Sequence, residues 1–160
     1  RQHGGPEALF DVALHGLRIV AGAVFEQRFG SAVLAIVVGC SDAESQTEKD
    51  RENGNRALWN ERKLAYIAHL RAAPASVRLV SMCDKLHNAR CILADYRRIG
   101  ERLWERFNGG RDGTLWYYRA LIEAYREALR EAGQPSDALV WSVLGEIERT
   151  VGAFEGLAGR

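Results

Sequence analysis

SMCDKLHNAR, residues 81–90, sets an Asp, a His and an Asn close together on what reads as a helix running from Ser76 to Arg98. A carboxylate inside a packed helix must be paired, protonated or bound, because burying an uncompensated charge costs several kcal/mol. Advancing about 100° per residue from Val77 gathers Asp84, Asn88, Cys91 and Asp95 into one stripe, with His87 at its edge. Leu79, Met82, Cys83, Leu86 and Leu93 fall on the other side. Such a helix, with demands on two faces, belongs at the centre of an all-α bundle.

Working outward, the same 3.6 period covers most of the 160 residues, and no stretch reads as a strand hairpin. Pro6 and Glu7 open a helix towards Phe29, with Gly16, Gly22 and Gly30 as weak points or stops. Ser31 caps a short apolar helix ending near Cys40. The stretch Ser41 to Arg56, SDAESQTEKDRENGNR, has no apolar residue beyond Ala43 and reads as a solvated polar loop, 42–57. A helix resumes over Trp59 to Ala72, and Pro74 separates it from the Ser76–Arg98 helix. Gly100 and NGGRDG, Asn108 to Gly113, punctuate the next segment. Thr114 to Ala132 follows, with Leu115, Tyr118, Leu121, Ile122, Tyr125 and Leu129 on one face. Gly133 stops it, and Ser136 or Asp137 caps a last helix running to about Leu157. The expectation is one helical domain spanning residues 1–160.

Composition narrows the function classes. Lysine plus arginine, 22, nearly balance aspartate plus glutamate, 21, so no broad attraction to nucleic acid or an acidic membrane is expected. The longest apolar run, Ala32 to Val38, is far below the roughly 20 residues a membrane-crossing helix needs. Three cysteines without a framework spacing, and no signal peptide, point to a reduced cytoplasmic setting. Cys83 and Cys91 lie about 12 Å apart along their helix axis, beyond the roughly 7 Å between Cα atoms that a disulfide spans.

Asp84 suits either an ion pair with a neighbouring arginine or a metal or substrate contact, and a divalent site needs three or more convergent ligands. His87 suits a hydrogen-bonding core histidine. Asn88, if buried, needs partners for up to four hydrogen bonds, which a nucleobase or another side chain supplies. Arg62 and Lys63 offer paired cations for phosphate binding or for a solvated basic face. The aromatic residues of TLWYYRALIEAY fit a core. His3, His15 and His69 form no metal-ligating pair by spacing, and no phosphate loop or serine-hydrolase elbow is present.

At SMCDKLHNAR the chain resembles the HD-superfamily phosphohydrolases, in the branch of the alarmone (guanosine tetraphosphate and pentaphosphate) 3′-pyrophosphohydrolases. The likeness extends from FGSAVLAIVVGCSD through NERKLAYIAHLRAAPASVRLVSMCDKLHNAR to FNGGRDGTLWYYRALIEAY, most of the chain after Phe29. It implies an HD-like helical bundle and a divalent metal, usually manganese, with Asp84 as its last ligand. It also implies that Asn88 faces a guanine nucleotide, with Lys85, Arg62 and Lys63 at basic positions beside the substrate. The metal would polarise a water for attack on a pyrophosphate phosphorus.

The sequence departs from that pattern at a decisive place. The family's other ligands are a histidine on an earlier helix and an adjacent His-Asp pair, followed by a Glu-Asp pair. Neither dipeptide occurs in this chain. RQHGGPEAL resembles the stretch just after those motifs, so the chain is expected to be either the carboxy-terminal portion of such a hydrolase or a degenerate relative. Little activity is then expected of this chain alone, and stoichiometric manganese is not expected either. The alternative is a non-catalytic helical module that binds a nucleotide or a protein, with self-association covering apolar surface that missing helices would leave exposed.

Overall fold

The computed structural model describes residues 24–40, 56–135 and 138–158, and all the regular structure among them is helical. The elements are α1 (Ser31–Cys40), α2 (Arg56–Ala72), α3 (Ala75–Ile99), a 3₁₀ helix (Gly100–Arg106), α4 (Gly110–Glu131) and α5 (Leu139–Ala158). Residues 24–29 are also helical. The chain is thus an all-α bundle in its described part. The expected helix from Pro6 towards Phe29 is described only over residues 24–29, and the cap at Ser136 or Asp137 lies outside the described residues, as does most of the polar loop. Its last residues, Arg56 and Ala57, already belong to α2.

Breaks fall where backbone chemistry requires them. Gly30 at φ +85° separates residues 24–29 from α1, while Gly100 at +60° and Gly133 at +61° end α3 and α4, in a region that disfavours side chains with a Cβ. Ser31 is the first residue of α1 rather than its cap, since Leu34 N–H already bonds to Gly30 O at 3.2 Å. NGGRDG is not a break throughout: α4 starts at Gly110, one turn earlier than Thr114. Thr114 Oγ1 donates back to Gly110 O at 2.7 Å.

The helices form one main core. α3 packs on α5, α2 on α4, and α4 on α5, with the 3₁₀ helix against α3 and α4. Its centre holds Leu70 of α2, Met82 and Ile92 of α3, Tyr117, Tyr118, Leu121 and Tyr125 of α4, and Ile147 and Phe154 of α5. All six residues expected on the inner face of α4 are buried. A smaller cluster of Cys40, Ala73 and Val77 seats the end of α1 on the start of α3. There Gly39 lets the backbone approach: a Cβ would meet Val77 at 2.9 Å.

The buried arc of α3 differs from the expected one. Val77, Ser81, Met82, Lys85, Asn88, Ala89 and Ile92 are buried, an arc of about 140° centred near Lys85 and Ile92. Cys83 and His87 are exposed. His87 is therefore a surface histidine rather than a core one, and Cys83 does not share the apolar side with Met82. Both expected stripes straddle the edges of the true arc, because the core centres on a lysine and a serine that a hydropathy pattern assigns to solvent.

Two glycines set up a test of the packing. A Cβ on Gly109 would meet the Trp59 ring at 2.6 Å, whereas one on Gly152 of α5 would meet nothing within 4 Å. Gly109→Ala should destabilise by about 1–3 kcal/mol through overpacking. Gly152→Ala should stabilise by roughly 0.5–1 kcal/mol through helix propensity. Chemical denaturation of the two variants beside the parent checks both signs.

Candidate functional site

α3 places Asp84, Lys85 and Asn88 together. Lys85 and Asn88 lie one turn beyond Ser81 and Asp84 on a helix that begins right after Pro74, so packing of the buried arc fixes all four. Asp84 Oδ2 accepts from Lys85 Nζ at 2.9 Å and from Asn88 Nδ2 at 3.3 Å. The Asp84 and Lys85 side chains are only 10% and 9% exposed, which makes this a largely desolvated ion pair. The partner of the carboxylate is thus its own neighbour and not an arginine from another helix. Asp95, further along the expected stripe, pairs with Arg98 at 3.0 Å and Arg106 at 3.3 Å.

Lys85 also lies 5.6 Å from the Tyr66 ring centroid, a cation–π distance that ties it to α2. Tyr66 in turn opens a buried hydroxyl chain. Its hydroxyl donates to Cys40 O at 3.3 Å and shares a hydrogen bond of 2.8 Å with Ser81 Oγ. Ser81 Oγ is 2.6 Å from the Tyr125 hydroxyl. Four helices thereby meet at Ser81. Sequence reading missed Ser81, Tyr66 and Tyr125. The available signal was a serine one turn before Lys85, on the same line of the helix.

Electrostatics mark the same place. Burial pushes the Cys40 thiol up from 9.0 to about 11, reinforced by the Asp84 charge and opposed by Lys85. Burial also raises the Tyr125 hydroxyl well above the usual tyrosine range, with Tyr66 adding to it. Cys40 Sγ donates to Val77 O at 3.5 Å. A buried thiol held protonated is a poor nucleophile.

Arg62 and Lys63 are not a solvated basic face. Lys63 is buried, with Nζ 4.5 Å from the Tyr117 ring centroid and 5.9 Å from that of Trp59. Arg62 is half-buried, and its Nη1 is sequestered without a hydrogen-bond partner, a donor that an anion would satisfy. Arg62 stands one turn before Tyr66 on α2, and the Tyr66 ring lies 5.6 Å from Lys85 Nζ. Trp116, half-buried, packs edge-on against Trp59 at 6.2 Å.

A divalent cation needs three or more convergent donors. Among the described residues no group of three or more His, Cys, Asp or Glu is placed to hold one. One oxygen of Asp84, Oδ2, faces the Lys85 ammonium. The described residues therefore do not by themselves fit the manganese that the resemblance implies. His3 and His15 lie outside the described residues, and His69 Nε2 donates to Gly39 O at 3.0 Å. Among the described residues no helix is long and apolar enough to cross a membrane.

The chain matches no protein-family model and no curated protein.

The raised Cys40 and Tyr125 groups give a pH dependence with a definite sign. Below about pH 9 both states keep the thiol proton; above it the unfolded thiol releases its proton while the folded one holds it to about 11. Stability should accordingly be full below pH 9 and fall as pH rises towards 11, with Tyr125 acting in the same direction. Urea unfolding across that range should show the fall, and Cys40→Ala should make it shallower.

Proposed function

We propose that the chain is a helical module of the HD-phosphohydrolase type, in its alarmone pyrophosphohydrolase branch, and that this chain alone does not turn over a pyrophosphate. In this reading Asp84 stands at the position of a metal ligand, Asn88 at that of a nucleotide contact, and Lys85, Arg62 and Lys63 at basic positions beside the substrate. The observation that carries it is the state of Asp84. Its carboxylate, in the motif that bears the resemblance, is neutralised by Lys85 and held by Asn88 rather than turned to a set of metal donors.

The arrangement leaves a role in binding. Turning the Asn88 amide away from Asp84 would free both its donor and its acceptor for a purine edge. Arg62 Nη1, which has no hydrogen-bond partner, is the donor that phosphate oxygens would seek, and Lys85 would reach them only by leaving Asp84. The purified chain, with manganese added, should retain no stoichiometric metal by elemental analysis and release negligible pyrophosphate from guanosine tetraphosphate. Calorimetry should still register nucleotide binding, weakened by Asn88→Ala. Stoichiometric manganese with turnover would refute the first part, and the absence of nucleotide binding would refute the second.

A second reading, a protein-interaction module, is favoured by α1. Val33 and Val38 of this apolar helix are exposed, as is Phe29 just before it. Each leucine-sized side chain left in water forgoes roughly 1.5–3 kcal/mol. Under this reading light scattering shows self-association that grows with concentration and is indifferent to nucleotide.

A further inference from the structure

With side chains only 10% and 9% exposed, Asp84 and Lys85 are nearly closed to water, so a ligand of any kind reaches them only if something moves. The end of α1 is tied to them. Cys40 O, on its last residue, accepts from the Tyr66 hydroxyl, and the Tyr66 ring lies 5.6 Å from Lys85 Nζ. Burial raises the Cys40 thiol, Asp84 adds to the rise and Lys85 opposes it, so the end of α1 lies in the field of both charges.

α1 is also held at one end. Cys40 is its one buried residue, and Val33 and Val38 are exposed. Its side-chain anchors converge on the last two residues: His69 Nε2 donates to Gly39 O at 3.0 Å, the Tyr66 hydroxyl to Cys40 O at 3.3 Å, and Cys40 Sγ to Val77 O at 3.5 Å. The apolar seat of Cys40, Ala73 and Val77 is separate from the main core. A unit with so small a buried seat opens at lower free energy than the whole fold.

We propose that α1 is a strap over the Asp84–Lys85 site, opening at its Cys40 end while the main core stays folded, and latched there by a hydroxyl chain of fixed proton order. The proposal rests on the reading of that pair as part of a binding site. Tyr66 has one hydroxyl proton, and Cys40 O takes it. Ser81 must then donate to Tyr66, and Tyr125 to Ser81, so the protons point from α4 through α3 and α2 to the end of α1. Lifting α1 removes the acceptor at the end of that line, a cost that keeps the strap shut. Tyr66 is therefore the latch, and Tyr125 stands at the far end.

Alkylation of thiols and acylation of lysines in the reduced full chain, resolved by peptide and without nucleotide, test it. Cys40 should react far more slowly than the exposed Cys83, yet faster than the core unfolds as timed by exchange of the Leu121 amide. Tyr66→Phe removes the latch, and Gly39→Ala disturbs the seat, since its Cβ would meet Val77 at 2.9 Å. Each should quicken Cys40 alkylation and Lys85 acylation together by roughly five- to tenfold, while Tyr125→Phe changes neither by more than roughly twofold. Lys63, buried against Tyr117 and Trp59, should keep its rate in all three. Circular dichroism confirms that the variants fold, and either strap variant alone suffices. The proposal is overturned if Cys40 reacts only at the rate of core unfolding or as fast as Cys83. It is equally overturned if Cys40 quickens without Lys85, or if Tyr125→Phe matches Tyr66→Phe. Failure of nucleotide binding is a separate outcome that leaves these rates untouched.

Discussion

The ion pair of Asp84 and Lys85 is the interaction on which the centre of this molecule depends. Two opposite charges, each about nine-tenths shielded from water, stand at the edge and the middle of the buried arc of α3. Neither is tolerable there without the other, because removing one leaves a desolvated charge uncompensated. Both residues belong to α3, so the pair turns with that helix, and the contact of Lys85 with the Tyr66 ring at 5.6 Å relates it to α2. With Lys85 turned inward to meet Asp84 and the Tyr66 ring, Ser81 one turn earlier must also face inward.

From Ser81 the constraint spreads through hydrogen bonds. Tyr66 on α2 and Tyr125 on α4 both reach its hydroxyl, and Tyr66 also donates to the last carbonyl of α1. Each such bond contributes only about 1 kcal/mol net, but leaving one of these buried groups unsatisfied costs about 1–3 kcal/mol. The chain is thus directional in its effect, penalising misplacement of any of four helices. Ion pairs between α4 and α5, such as Arg126 with Glu148 at 2.6 Å, lie nearer the surface. There each is worth about 0–1 kcal/mol.

How much of this the sequence disclosed follows from the kind of signal. Apolar period and helix stops carry local information, so the all-helical class, the breaks at Gly30, Pro74, Gly100 and Gly133, and the inner face of α4 were legible. The rotation of α3 was not, because its core line runs through Ser81, Lys85 and Asn88, which hydropathy reads as outward-facing. The same reason hid the partner of Asp84 and turned His87 from an expected core residue into a surface one. The start of α4 at Gly110 was obscured because glycines that read as a break serve as close-packing positions under Trp59.

For function, the consequence is that Asp84, the residue singled out by its motif, is spoken for within the fold. A thermodynamic cycle on Asp84→Asn, Lys85→Met and the double variant measures that commitment directly. If each charge is tolerated only because of the other, Lys85→Met should cost about 3–5 kcal/mol, and the double variant should lose clearly less than the sum of the two single losses. Strictly additive losses, or single losses below about 0.5 kcal/mol as for an ordinary surface site, would contradict it.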